Sequence, residues 1–334
     1  MSEKPLYIYL DQNHWVNLAQ AYHNHPDGKK YKAVLKKLTE LVDKDKVRLP
    51  LSAYHFLETL KIKNKGQKER LAEVMTNLSQ GWGMALVDSI APVEIQIAGA
   101  RIFEYPLPQQ PKVFARDLSL ILDIDLESIA NKILRKNNET AITPESLVAF
   151  TRKQLATQPN IANLFLTGDI YDTTNLAKNI DDYKFGIEQF AQLNKKVQIA
   201  TESFANSQEQ LKRKVILDYL IGKETKETLN NALSIYSKTI ADVTSLGKGA
   251  GIKFIESIPA LDMETILVAT RNMQKGRENE GNDWADLRFL VVAVPYCDIV
   301  VTEKFFRGLV LRSKLDKKYK TIVLRDLTNL LEHI

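Results

Sequence analysis

The chain is poor in cysteine and has no long apolar run, and these absences exclude several common classes of protein. Its single cysteine, Cys297, excludes an intramolecular disulfide framework and a zinc site built from several cysteines, and it favours a reducing compartment. No apolar run approaches the roughly 20 residues that a membrane-spanning helix needs. Charged residues such as Glu3, Lys4 and Asp11 interrupt the N-terminus where a signal peptide would have its apolar core. We therefore expect a cytoplasmic protein without a membrane partner.

Length and net charge restrict the function only weakly. The 334 residues, of which 44% are hydrophobic and 26% charged, suffice for a large core in one elaborated domain or two. The formal net charge of +5 permits an anionic partner such as nucleic acid but does not require one. One basic stretch, residues 61–70, contains four lysines and Arg70. It could face phosphates, although a solvated helix end is the more common explanation of such a run.

Acidic residues follow predicted strands in the N-terminal part of the chain. The buried strand Leu6–Leu10 is followed at once by Asp11 and, two residues later, by Asn13. A second strand is predicted over residues 47–52, and Glu58 lies on the helix that follows it. This repeated order of strand, polar turn and helix is typical of a parallel sheet with right-handed crossovers.

A matching group of acids lies near the C-terminus. Asp283 and Asp286 are three residues apart and so share one face at the start of an apolar helix. That helix leads into a β-branched strand over residues 298–302, after which come Glu303 and Lys304. In an open α/β sheet the ligand site lies outside the carboxyl ends of the parallel strands, so acids from both ends of the chain are expected to meet there.

Carboxylates gathered in this way predict a site for Mg²⁺ or Mn²⁺, which prefer oxygen ligands. Each acid taken alone has a simpler explanation, because an aspartate at the start of a helix satisfies free amides and the helix dipole. Three separated acids that are all expected at one edge of the sheet are together harder to explain by helix capping. We therefore favour the metal site.

The middle of the chain has a different pattern. Helical periodicity dominates residues 118–134, 144–155, 169–221 and 225–246, with almost no strand signal. We predict an α/β domain formed by residues 1–110 and 259–334, interrupted by an all-helical insertion at residues 111–258. The insertion could clamp a substrate, join copies of the chain in a homo-oligomer, or dock a protein partner that restrains the activity. A glycine-rich run at residues 247–251 lacks the Gly-Lys-Ser/Thr ending of a phosphate loop and is predicted to be a turn.

Together these residues resemble the PIN-domain and PIN-like nuclease family. The similar positions are Leu10-Asp11-Gln12-Asn13, the helical Glu58, and Asp286 with a Val-Thr strand end, Val301-Thr302, about sixteen residues later. The resemblance covers about residues 5–70 and 283–324. It implies a PIN-like parallel sheet flanked by helices, a bound Mg²⁺ or Mn²⁺, and hydrolysis of phosphodiester bonds. RNA is favoured over DNA by the habit of the family alone.

The resemblance also implies a set of site residues. Asp11, Glu58, Asp286 and Glu303 would be catalytic, and the same four with Asp283 would bind metal. Asn13 would orient Asp11 or cap its helix. Many members of the family carry an Asp two residues after the threonine, where this chain has Lys304. Glu303, one residue earlier, would take the place of that Asp, and Lys304 would contact a phosphate.

The sequence thus favours a metal-dependent endoribonuclease acting on single-stranded RNA, in a setting of toxin action, defence or RNA turnover. The main alternative is a catalytically lapsed scaffold that binds nucleic acid or a protein. A different phosphoryl-group hydrolase is disfavoured, because no Asp-x-Asp-x-Thr motif follows the first strand. His14 and His55 lie near the predicted site and could contact substrate or simply pack, and the pair His23 and His25 is predicted to lie in a turn.

Overall fold

The computed structural model describes residues 4–116, 143–157, 225–272 and 283–334, with a few isolated positions between 117 and 224. The strands of the described residues, in chain order, are β1 (Leu6–Leu10), β2 (Val47–Arg48), β3 (Gly83–Met84), β4 (Phe114–Ala115), β5 (Ile299–Val301) and β6 (Ile322–Leu324). The centre of the structure is a sheet of four parallel strands in the order β2-β1-β5-β6.

Helices cover the sheet on both sides. Among the residues described, no helix is long and apolar enough to cross a membrane. The α-helices are α1 (Gln12–Tyr22), α2 (Lys32–Asp43), α3 (Ala53–Leu60), α4 (Lys65–Ser79), α5 (Val87–Ile102), α6 (Pro144–Thr157), α7 (Lys226–Leu233), α8 (Ile240–Ser245), α9 (Ala250–Glu256), α10 (Pro259–Asn272), α11 (Asp283–Tyr296), α12 (Lys304–Arg312) and α13 (Leu315–Tyr319). Short 3-10 helices span Pro26–Tyr31, Ser234–Tyr236 and Leu327–Glu332.

The two central strands come from opposite ends of the chain and pair in parallel. Leu10 of β1 is opposite Val301 of β5, and Val301 is opposite Leu324 of β6. The ladder continues one step further, because the Asp11 amide donates to the Val301 carbonyl at 3.0 Å and the Thr302 amide donates to the Leu324 carbonyl at 3.0 Å. Asp11 and Thr302 therefore lie side by side at the carboxyl edge of the sheet.

Alternate residues of β1 enter different cores, as the period of two in a strand requires. Ile8 and Leu10 pack with Trp15 of α1 and Leu38 of α2 on one face. On the other face lie Tyr9 and the apolar side of α11. A third apolar cluster joins α5 to α7, α8 and α9, with Ile95, Leu229, Leu233, Val243 and Phe254 at its centre.

The predicted α/β class with a parallel sheet is confirmed, and several element bounds differ from the prediction. The second strand is only two residues long, because Pro50 has no amide to donate and Ser52 is already the N-cap of α3. Strand β4 lies inside the region predicted to be all helical, and it pairs antiparallel with β3. The predicted helix at 144–155 is present as α6, whereas the helices predicted at 118–134 and 169–221 fall outside the described residues.

Gly28 shows how tightly the turn after α1 packs on that helix. A Cβ at this position would lie 2.2 Å from the backbone nitrogen of Ala21 and 2.2 Å from the backbone carbon of Gln20. We predict that Gly28→Ala lowers the free energy of unfolding by about 1–3 kcal/mol or more, because backbone atoms must move to admit the methyl group. Chemical denaturation followed by circular dichroism measures the change.

Gly66 provides the matched control for this prediction. There a Cβ would meet the flexible end of Arg70 at 3.3 Å and the Asn64 Oδ1 at an ordinary contact distance of 3.6 Å, and the position is helical. Gly66→Ala should therefore leave stability unchanged or raise it, since alanine loses less conformational entropy on folding. Equal destabilisation by both substitutions would show that the close approach at Gly28 is not the cause.

Candidate functional site

Asp11 is the most constrained acid at the carboxyl edge of the sheet. Its side chain is 5% exposed. One carboxylate oxygen accepts the Gln12 amide at 2.7 Å, and the other accepts the Thr302 hydroxyl at 3.4 Å. Asp11 therefore caps α1, and its orientation is fixed by the neighbouring strand as well as by its own helix. The backbone amide of Glu303 is a third donor to this carboxylate. Because a carboxylate offers about four acceptor positions, these bonds still leave it able to bind a further group.

Glu303 reaches the same edge from β5. Its Oε1 accepts a hydrogen bond of 2.6 Å from the side-chain amide of Asn13. Glu303 occupies the cap position of α12, but its side chain makes no capping bond there. Asn13 in turn does not cap α1, as one expectation had it, because Asp11 does. The observed role of Asn13 is to hold the carboxylate of Glu303.

Glu58 completes a group of three acids drawn from distant parts of the chain. It lies half-buried on α3, and burial raises its pKa to about 7, with further raising by the charges of Asp11 and Glu303 and an opposing effect from Lys61. Burial likewise raises the pKa of Asp11 to about 6, and the charge of Glu303 adds to it. These carboxylates therefore lie close enough to repel one another.

Asp286, on α11, is linked to this edge through its electrostatic effect on Tyr9. The hydroxyl of Tyr9 is fully buried, and its pKa is raised well above the usual value, first by burial and then by the charges of Asp11, Glu58 and Asp286. A single hydroxyl thus senses three of the predicted acids. Tyr9 also shares a hydrogen bond of 3.1 Å with Ser52. Sequence reasoning did not select Tyr9, because an alternating apolar strand gives no sign that one of its tyrosines lies beneath the acids.

The two remaining predicted residues have less defined positions. Asp283 begins α11, and its side chain lies outside the part described. Lys304 is the exposed first residue of α12, next to Glu303. The structure thus brings Asp11, Glu58 and Glu303 together, and the charge of Asp286 acts on the Tyr9 hydroxyl that Asp11 and Glu58 also influence.

Two buried histidines near the edge serve the backbone and the core. The Nε2 of His55 donates to the carbonyl of Leu10 at 2.9 Å, and its Nδ1 accepts the Ser52 amide at 2.9 Å. Burial lowers the pKa of His55 to about 3 and that of His14 to about 4, so both rings are neutral at pH 7. His55 therefore fixes the residue before Asp11 rather than facing substrate.

Arg288 anchors the helix that carries Asp286. Its Nη2 donates to the carboxylate of Asp88 at 2.5 Å, and its Nη1 lies 3.4 Å from Glu264. These bonds tie the first turns of α11 to α5 and α10. Because Arg288 is two residues after Asp286, the same ion pairs restrict how far Asp286 can move. The partners are distant in sequence, so no local pattern predicts them.

The donor chemistry of the site suits a hard divalent cation. The converging side chains offer carboxylate oxygens, the ligands that Mg²⁺ and Mn²⁺ prefer. Burial, and after it the repulsion of neighbouring carboxylates, raises the pKa values of Asp11 and Glu58, so a cation bound here would offset an unfavourable charge arrangement. Within the described residues, however, no group of three or more acid, histidine or cysteine side chains is arranged so that it could hold a metal ion. The residues fit the ion by type, and carboxylates such as Glu303, now held by Asn13, would have to turn towards it.

No protein-family model matches this chain, and neither a curated protein nor a solved structure matches it. The functional assignment therefore depends on the residues and geometry described above.

The raised pKa values predict how stability changes with pH in metal-free protein. Between about pH 4 and pH 7 the unfolded chain releases protons that Asp11 and Glu58 retain in the folded state, so stability should fall as pH rises through this interval. The double variant Asp11→Asn, Glu58→Gln should reduce this slope. Denaturant unfolding in EDTA at several pH values measures it.

Asp43→Asn, which removes an exposed carboxyl at the end of α2, is the control and should leave the slope unchanged. Adding Mn²⁺ to the wild type should restore stability near pH 7, because an ion that binds the ionised carboxylates favours the folded state. A slope that is the same in wild type and double variant would contradict the assignment of these pKa shifts.

Proposed function

We propose that this protein is a PIN-like, divalent-metal-dependent nuclease that hydrolyses phosphodiester bonds in single-stranded RNA. The observation that carries the proposal is the grouping of Asp11, Glu58 and Glu303 at the carboxyl edge of the parallel sheet. These three residues come from separate parts of the chain that only the fold brings together, and Asp286 acts on the Tyr9 hydroxyl that Asp11 and Glu58 also influence. Open α/β sheets place their ligand sites at this edge.

The electrostatics of the cluster favour a functional explanation over a structural one. Burying carboxylates beside one another disfavours their ionised forms and stabilises nothing by itself. Asp11 has a structural role as a helix cap, but Glu303 makes no capping bond and Glu58 lies within a helix. Groups with strongly shifted pKa values are concentrated at functional sites for this reason.

Asp11, Glu58, Asp286 and Glu303 would hold the metal, with Asp283 as a fifth candidate. Bound Mg²⁺ or Mn²⁺ would supply an activated water and stabilise the leaving oxygen during in-line hydrolysis. The chain orients two of the ligands through bonds already present, from Thr302 to Asp11 and from Asn13 to Glu303.

The substrate would be oriented from the exposed side of the same edge. Lys304, next to Glu303, is placed to meet a substrate phosphate as a flexible point charge. A choice of RNA over DNA follows from the family resemblance alone. A cytoplasmic location stays an expectation from the sequence, as do a protein partner and a homo-oligomer formed through the helical middle.

The first test of this function is Asp286→Asn. We predict that this variant loses metal-dependent cleavage of labelled single-stranded RNA by about 100-fold or more, because a carboxylate ligand becomes a neutral amide. Its fold should persist or become slightly more stable, since one repelling charge is removed. Product formation on gels with Mg²⁺, Mn²⁺ or EDTA is measured together with the thermal unfolding curve.

Asp43→Asn is again the matched control and should cleave at the wild-type rate. If the Asp286→Asn variant cleaves at the wild-type rate, or if it unfolds, Asp286 has a structural role and its assignment as a metal ligand is wrong. A wild type that is inactive with every divalent metal, on both RNA and DNA, would refute the enzyme and favour the scaffold.

A second test compares the two ends of β5. Asp298 lies at the opposite edge, where its carboxylate accepts the Tyr7 amide at 2.8 Å. We predict that Glu303→Gln raises the Mn²⁺ concentration needed for half-maximal cleavage by roughly 10-fold or more. Asp298→Asn should leave that concentration unchanged. Mn²⁺ titrations of the initial cleavage rate measure both concentrations. An unchanged concentration in Glu303→Gln together with a raised one in Asp298→Asn would place the metal at the amino end of β5 and contradict the assignment.

A further inference from the structure

A surface groove lies between α1 and α4, away from the acids described above. It is a cavity of about 550 Å³. We call it the α1–α4 groove and define it by Val16, Ala19 and Leu71, which give it an apolar lining, and by His23, Gln67 and Arg70, which give it a polar one. It shares no residue with the carboxylate cluster. Its volume lies within the range of pockets that hold small organic ligands.

Hydrogen bonding through His23 fixes the wall of the groove, and the guanidinium of Arg70 is exposed to solvent beside it. His23 Nε2 donates to the backbone carbonyl of Arg70 at 3.2 Å, which joins the two helices. The same ring lies 3.5 Å from the carboxylate of Glu73. Arg70 itself is exposed, and within the described residues its guanidinium forms no ion pair with an acid. A fixed wall beside an exposed guanidinium suits an anionic ligand.

The charge around the groove is strongly positive. It is flanked by residues 23–32, from the turn after α1, and by residues 63–73, from the loop before α4 into that helix. Together these two segments contain seven lysines and arginines and only three acids. One of the three, Glu69, is already paired with exposed Lys65 at 3.7 Å. The basic run that the sequence left open between a phosphate contact and a solvated helix end thus borders a cavity.

An exposed aromatic ring completes the surface. Tyr22, the last residue of α1, is 44% exposed and meets His23 edge-on, with ring centres 5.0 Å apart. Single-stranded nucleic acid is held by this combination, in which cations follow the phosphates and aromatic rings stack on bases. An acidic peptide would match the charge, but it would not require the apolar cavity or the exposed ring.

We propose that the α1–α4 groove binds one nucleotide of single-stranded RNA at a position separate from the cleavage site. The base lies against the apolar lining, a neighbouring base stacks on Tyr22, and Arg70 binds a phosphate. The choice of RNA rests on the function proposed above, whereas the groove and its charge do not.

Fluorescence anisotropy with a labelled single-stranded oligoribonucleotide in EDTA tests this site without cleavage. Arg70→Glu should weaken binding roughly fivefold or more and reduce its salt dependence, and Tyr22→Ala should weaken it by loss of stacking. Gln20→Trp should also weaken binding, because it fills the groove without changing its charge. Lys317→Glu on α13 is the matched control for charge and should bind more tightly than Arg70→Glu.

The outcomes separate the groove from the nuclease. Wild-type affinity in Arg70→Glu and Tyr22→Ala would overturn the proposal, as would an equal loss in Lys317→Glu or the absence of RNA binding by the wild type. The same assay is run with a labelled acidic peptide. If the peptide binds the wild type, loses affinity in Arg70→Glu, and is displaced by unlabelled peptide but not by RNA, the surface belongs to a protein partner instead. Cleavage is assayed separately, so a wild type that binds RNA here without cleaving it refutes the nuclease and leaves the groove standing.

Discussion

The parallel pairing of β1 with β5 is the constraint on which the rest of the site depends. Residues almost three hundred positions apart are held in register, and the bond from the Asp11 amide to the Val301 carbonyl extends that register to the edge of the sheet. Once Asp11 lies beside Thr302, the next residue, Glu303, reaches the same edge. The side-chain bond from Asn13 to Glu303 then joins the two ends of the chain a second time.

This arrangement opposes its own stability in the absence of a cation. Burial and mutual repulsion raise the pKa of Asp11 to about 6 and that of Glu58 to about 7, so the folded protein retains protons at pH values where the free carboxyl groups have already released them. The surrounding structure nevertheless holds the acids in place, through the neutral ring of His55 under Leu10 and the ion pairs of Arg288 next to Asp286. Such rigid support of an unfavourable charge arrangement is characteristic of binding sites.

Much of the edge could be predicted from sequence, because strand alternation and the position of an acid directly after a strand are local signals. Leu6–Leu10 with Asp11, and the strand before Glu303, are of this kind. Helix α5 was not predicted: it contains Pro92 and buries residues on several sides, so it lacks the single apolar stripe that marks a surface helix. The pairing of Asn13 with Glu303 could not be predicted either, because it depends on contacts between distant parts of the chain.

The central claim is that these acids bind a divalent cation at the carboxyl edge of the sheet. A crystal of the full chain grown or soaked with Mn²⁺, with anomalous scattering recorded at the manganese edge, locates the ion directly. The account predicts an anomalous peak coordinated by carboxylate oxygens of Asp11 and Asp286, with Glu58 or Glu303 in the same coordination sphere, and predicts loss of the peak in Asp11→Asn. Absence of a peak at this edge, with Mn²⁺ bound elsewhere or not at all, would contradict it.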